Sequence, residues 1–359
     1  MPNLTTTPPS IEDYDQDFLK NMSDDDYIDF VAQFLRPIPI EYAFVFVYCC
    51  LMVVGVIGNC LVVYVVLRNK AMRDSSINLY LGNLAMADLL VLTICLPPTI
   101  ATDVTKTFWL GVVCCKTILF FQNTSVYVSI LTLTTVALER WRAVSNPLAA
   151  PIWRTQKVIP CLWITAAILS LPEPLTLQIF PADYERKNIK TTWGTRCAPD
   201  WSLGFQQKYQ LIQTCLLFFV PLLIITGLCI HMSIILRRKA LQIGERQIRS
   251  RKRATRILIT VTLLFGISYL PVHAHNILSA FQIDPHEPTL VAIAVRKFIP
   301  RLFSYSASSL NPIVYSLSSE KFRKEFRRVW CFGNQRKDLR DRQRSMRSTL
   351  SGATATNNL

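Results

Sequence analysis

The run from Phe44 to Leu67 carries no charged residue in 24 positions. At 1.5 Å per residue such a helix reaches roughly 36 Å, enough to cross a hydrocarbon core of about 30 Å. A bilayer offers no water to backbone amides, so a segment of this kind must be helical. Six further apolar segments follow, at about 77–101, 113–138, 157–179, 208–236, 256–281 and 292–317. The last is the least clean, because Arg296, Lys297 and Arg301 stand at its start. The expected fold is an all-α membrane protein with a seven-transmembrane helix bundle over residues 43–318. An N-terminal segment, 1–42, precedes it; a short amphipathic helix, 319–331, and a disordered tail, 332–359, follow it.

Charge sets the expected orientation. Of the 39 basic residues, 27 fall in the segments 68–74, 139–157, 237–256 and the tail after 318. The first 42 residues hold nine acids and two bases. The positive-inside rule then places the N-terminus outside and the tail in the cytoplasm, in a multi-pass protein of the plasma membrane. The net charge of +15 is thus a topology signal and not a nucleic-acid one. No short apolar stretch near Met1 suggests a cleaved signal peptide, so the first span is expected to direct insertion. Asn3 and Asn21 open glycosylation tripeptides. Most of the eleven cysteines sit in apolar runs and read as small buried apolar residues.

Phe322, Phe326, Val329 and Trp330 fall at i, i+4, i+7 and i+8 under a basic face, the pattern of a helix lying on anionic lipid. Cys331 at its end is a palmitoylation candidate. Ser345, Ser348, Thr349 and Ser351 in the tail are candidate phosphorylation sites for receptor kinases, with arrestin as a further partner. Near the N-terminus, Tyr27, Phe30, Val31 and Phe34 share one face of an amphipathic helix near 24–36, which can cover a pocket.

Polar groups inside membrane helices are costly, so each is a functional candidate. Asn59, Asp88 and Asn311-Pro312-Ile313-Val314-Tyr315 lie on three different spans. One carboxylate with amides from two other helices either holds a sodium ion with water or forms a structural hydrogen-bond cluster. Glu139-Arg140-Trp141 closes the third span, where Glu139 can pair with Arg140 and keep its guanidinium from a partner protein. There is no nucleotide loop, metal-ligand cluster or catalytic triad, and His231, His273, His275 and His286 are scattered. The chain reads as a receptor and not an enzyme, needing no cofactor beyond that ion. A small transporter is the remote alternative, but inverted repeats are not visible.

Asn59, Asp88, Glu139-Arg140-Trp141, Trp163, Pro221, Tyr269-Leu270-Pro271 and Asn311-Pro312-x-x-Tyr315 fall one set per span, and across residues 43–331 the chain resembles the rhodopsin-like G-protein-coupled receptors. The resemblance implies that Arg140 engages the G protein and that Asp88 belongs to a sodium site. It implies that Tyr269 and Pro271 pivot the sixth helix outward and that Tyr315 switches inward. It also implies a bridge from Cys115, or from the adjoining Cys114, to Cys197. Two residues depart from the family. Tyr269 stands where Trp is commoner, and Cys229 where many members have a Tyr that meets Arg140.

Gln122, seven residues after Cys115, occupies the place where aminergic receptors have an Asp, which argues against monoamines. A neutral amide suits a peptide backbone or an amidated C-terminus. Asp13-Tyr14-Asp15, the Tyr27–Pro37 stretch, Glu41-Tyr42, Leu96-Pro97, Asp103-Val104-Thr105, Gln122, Asp200-Trp201, Asn276 and Tyr305 resemble the orexin and allatotropin receptor group, and Thr99 is a further candidate ligand contact. Glu173 and Arg301 depart from the orexin receptors by adding charge, and either face charged ligand groups or pair with each other. The expected ligand is an extracellular amidated neuropeptide, with coupling to Gq and calcium mobilisation. Glu139 is similar to the RFamide receptors, which keeps a neuropeptide FF or neuropeptide Y type receptor as the alternative.

Overall fold

A computed structural model describes residues 21–146, 154–181, 191–238, 245–283 and 290–329. Asn3, Cys331 and the tail lie outside the described residues. The helices are α1 (Asp24–Phe34), α2 (Pro39–Arg68), α3 (Ser76–Thr105), α4 (Gly111–Ser145), α5 (Thr155–Thr176), α6 (Leu203–Arg238), α7 (Glu245–Ala280), α8 (Leu290–Ser318) and α9, residues 320–329. A two-stranded antiparallel hairpin, β1 (Leu177–Phe180) and β2 (Arg196–Pro199), joins α5 to α6.

Helices α2 to α8 form a closed bundle. α4 runs through its centre against α3, α5, α6 and α7, and α8 closes it between α7 and α2. Six of the seven are long and apolar enough to cross a membrane. α8 falls short because Arg296, Lys297 and Arg301 occupy its first turns. The bundle is inside-out relative to a water-soluble one. Its outward faces carry Leu223 at 70% exposure and Ile164 at 61%, while its interior buries Asn59, Asn83, Asp88 and Thr132. A lipid solvent reverses the usual cost of each placement.

Proline shapes three spans. Pro97 and Pro98 lack the amides that would bond one turn back, and a π-turn over Val91–Cys95 precedes them in α3. A second π-turn, Cys215–Phe219, precedes Pro221 in α6. The expected fourth segment ran to residue 179, but helix ends at Thr176. Pro172 and Pro174 remove two donors there, and Leu177 enters β1.

Close helix approach is set by small residues. A Cβ at Gly55 would lie 3.0 Å from the Ser309 Cα and 2.5 Å from Leu92 Cδ1, and one at Gly58 would lie 2.9 Å from Pro312 Cβ. α2 and α8 therefore touch almost backbone to backbone. Trp163 Nε1 donates to Asn83 Oδ1 at 2.8 Å, and Asn83 Nδ2 donates to Thr132 Oγ1 at 2.9 Å. This chain of bonds ties α5, α3 and α4 together.

At one end of the bundle, here the mouth, Cys115 in the first turns of α4 is bridged to Cys197 in β2, with Cα atoms 5.8 Å apart. Cys114 is free. α1 is capped by Ser23, whose Oγ accepts from Asp26 N at 3.2 Å. It buries Tyr27, Val31 and Leu35 against Trp193. That stripe runs straight along the helix at i, i+4 and i+8, so the expected Phe30 and Phe34 sit at its edges, half-buried. At the opposite, basic end, α9 buries Phe322 completely against Tyr315, their rings 6.1 Å apart. The apolar stripe expected to lie on lipid thus docks in part on the bundle.

Candidate functional site

Between the mouth and the middle of the bundle lies a cavity of about 390 Å³. Gln122 and Asn123 reach it from α4, Glu173 from α5, Gln206, Gln210 and Gln213 from α6, His273, His275 and Asn276 from α7, and Lys297, Arg301 and Tyr305 from α8. Thr99 lines it from α3, its hydroxyl 3.0 Å from the Tyr305 hydroxyl. Of the residues expected to meet ligand, Gln122, Asn276, Tyr305, Thr99, Glu173 and Arg301 come together here.

Two do not. Asp103 is fully buried behind the wall, where Arg301 and Lys297 both pair with its Oδ1, Lys297 Nζ at 3.0 Å. Trp201 sits in an aromatic cluster with Phe205 and Tyr209, 5.2 and 4.6 Å away between ring centroids, and does not line the cavity.

Glu173 and Arg301 do not pair. Glu173 Oε2 accepts from Asn123 Nδ2 at 2.9 Å, whereas Arg301 is held by Asp103. Several lining residues went unnoticed in the sequence. Gln206, Gln210 and Gln213 follow i, i+4, i+7, and His273 and Asn276 follow i, i+3, so a polar face on an otherwise apolar span was the available signal.

The rings of Phe265 and Tyr269 lie 4.5 Å apart, tilted by 31°, and line two compartments at once. Above them is the large cavity. Below is a space of about 10 Å³ lined by Asp88, Ser129, Ser308 and Asn311, about the room of one water or small ion. Asn311 Nδ2 donates to Asp88 Oδ2 at 2.8 Å. Asn59 was expected in this group but does not line the space. Its Nδ2 donates to the carbonyls of Gly55 and Ser308, both at 2.9 Å, so it staples α2 to α8. Pro271, in the half of α7 nearer the mouth, leaves the Ile267 carbonyl without its usual helical donor.

At the basic end Glu139 does not hold Arg140. Its Oε1 accepts from the Tyr80 hydroxyl at 2.7 Å. Arg140 makes no ion pair among the described residues, and its buried Nε has no hydrogen-bond partner there. The adjacent Glu139 side chain leaves α4 on the side of α3, where Tyr80 reaches it first. Trp141 Nε1 donates to His231 Nδ1 at 2.9 Å, linking α4 to α6 two residues beyond Cys229. Cys229 itself is buried beside an apolar gap of about 340 Å³ between α6 and α7. Pro312 lies against Gly58, and Tyr315 is fully buried with no partner for its hydroxyl among the described residues.

Residues 58–315 match the family described as 7 transmembrane receptor (rhodopsin family). The chain is 32% identical to somatostatin receptor type 5 of Bos taurus over 292 residues, covering 79% of this chain and 75% of that one. It is 31% identical to galanin receptor 2a of Danio rerio, covering 79% and 77%. It is 28% identical to a QRFP-like peptide receptor of Branchiostoma floridae, covering 78% and 75%. The family match runs through the helices that build both compartments, and the chain therefore belongs to the rhodopsin family of seven-transmembrane receptors, signalling proteins and not enzymes.

Proposed function

We propose that this protein is a plasma-membrane receptor for an extracellular neuropeptide and activates a heterotrimeric G protein of the Gq class. The observation that carries this reading is the amide lining of the cavity. Gln122, Asn123, Gln206, Gln210, Gln213 and Asn276 each offer a donor and an acceptor, which is what a peptide backbone or an amidated C-terminus requires. A volume of about 390 Å³ lies within the usual range for ligand sites. The relatives are named for somatostatin, galanin and a QRFP-like peptide. The mouth faces outward with the acidic N-terminal segment, and the basic end faces the cytoplasm. There the released Arg140 meets the G protein, and the tail meets receptor kinases and arrestin. Asn3 and Asn21 carry glycans, and Cys331 a palmitoyl chain.

Binding shifts the population toward an open basic end. Tyr269, on the floor of the cavity, transmits the ligand's presence to α7, which swings about Pro271. Asp88, Ser129, Ser308 and Asn311 supply hard oxygen ligands of the kind sodium takes; a bound ion would favour the closed arrangement of this group.

The orexin and allatotropin group remains the proposed ligand class. An RFamide receptor is the second reading, favoured by the QRFP-like relative and by Glu139. Calcium release in cells expressing the full chain, screened against amidated orexin-like, allatotropin-like and RFamide peptides, tests both. Silence toward every peptide, with normal surface expression, would overturn the peptide reading.

A further inference from the structure

We infer that the ligand presents a basic side chain, best a guanidinium, to Glu173, making a cation a requirement for recognition and not an accessory. The inference rests on the peptide reading above and names the chemistry that the same cavity selects.

Among the described residues of the seven spans, three carboxylates lie in the mouth half, and two of them already have cations. Glu41 pairs with Lys106 at 3.5 Å. Asp103 pairs with both Lys297 and Arg301. Glu173 has neither. The one hydrogen bond to its carboxylate among the described residues comes from the neutral Asn123 amide at Oε2, and none of them donates to Oε1. Lys116, the cation of α4 near this corner, spends its ammonium on the Leu175 carbonyl at 3.1 Å. Glu173 lines the cavity from the last turns of α5, so the unpaired oxygen belongs to a space a ligand enters.

The surroundings sharpen the choice of cation. Gln210 Oε1, on the wall of the same cavity, is a buried acceptor with no donor among the described residues. A guanidinium carries five N–H donors in a planar fork, whereas an ammonium is a point charge. The fork can give a carboxylate two parallel donors and still offer others to an amide oxygen of the same cavity. The opposite wall has the complementary bias, because Lys297 and Arg301 share a single carboxylate and leave one positive charge in excess. A ligand cation is therefore steered away from α8 and toward α5.

The test uses the full chain in cells, with calcium release as readout and an N-terminal tag to count receptors at the surface. Each peptide that activates is compared with analogues in which arginine is replaced by citrulline, lysine by norleucine, or the N-terminus is acetylated. One arginine-to-citrulline analogue should lose about 10- to 100-fold in potency, the range for a charge-assisted bond. Glu173→Gln should weaken the parent peptide by a similar factor and leave the citrulline analogue no weaker than it already was. Glu173→Asp should retain most of the potency. Loss confined to the norleucine or acetyl analogue keeps the cation and overturns the guanidinium preference. Equal potency of all neutral analogues, or full potency at Glu173→Gln, overturns the inference while the peptide reading stands. Failure of every peptide overturns both.

Discussion

Replacing Asp103 with Asn should destabilise the receptor, and removing its two cations in addition should restore it. Asp103 is fully buried, and Lys297 and Arg301 both bond one of its oxygens, Lys297 at 3.0 Å. Breaking a fully buried ion pair by removing one partner costs about 3–5 kcal/mol. Here the side chains left behind are 33% and 41% exposed, so water recovers part of that, and about 2 kcal/mol is the expected cost. For a protein of this size that corresponds to a melting temperature lower by about 3 °C. Thermal unfolding of the purified full chain in detergent, followed by cysteine-reactive or intrinsic fluorescence, measures it. Lys297→Gln with Arg301→Gln removes the orphan charges, so the triple variant should melt above Asp103→Asn alone. Such non-additivity is the signature of groups acting as one unit. A melting point within 1 °C of the parent for Asp103→Asn, or a triple variant below it (measured at the same ionic strength), would refute the claim that this triad anchors α3 to α8.

Gln122→Ala should raise the half-effective peptide concentration about tenfold in the calcium assay, the loss of one hydrogen bond at a desolvated site; unchanged potency would remove Gln122 from the ligand contacts. Arg140→Ala should abolish most calcium release while radiolabelled peptide still binds, because Arg140 lies at the far end of the bundle from the cavity. Gly55→Val should cut surface expression sharply, since even a Cβ there meets the Ser309 backbone at 3.0 Å and overpacking of this kind costs about 1–3 kcal/mol. Glu320, outside the spans, is held below the usual carboxylate range by its bond from Arg253 and by Lys324. Its pairing is therefore present above the ordinary glutamate value and lost only as pH falls through the lowered one. Basal signalling of Glu320→Gln and the parent should then differ by the same amount at pH 6 and pH 8.

Seven spans could be read from the sequence because lipid demands an absence of charge over about 20 residues, and few other constraints mimic that. The polar residues inside them were legible one by one, but not their partners. Asp103 and Arg301 are 198 positions apart, and only the packing of α3 against α8 decides that Arg301 turns to Asp103 and not to Glu173. Glu139 faces the same problem, since Tyr80 competes from another helix for what looked like a neighbour's bond. The three glutamines of α6 were missed for a different reason. In a span where most residues face lipid, a single polar stripe lowers mean hydropathy only slightly and is visible only when residues are sorted by helical face.

The wall made by Phe265 and Tyr269 has two sides. Anything that presses on it from above changes the room beside Asp88, and anything lodged beside Asp88 props it from below. Thermodynamics then fixes a symmetry between the two compartments. If filling the lower space weakens ligand binding by some factor, the ligand expels the lower occupant by that same factor. A substitution at Tyr269 that thins the wall should therefore not favour one compartment over the other; it should loosen the exchange between them, leaving each affinity less dependent on what the other holds.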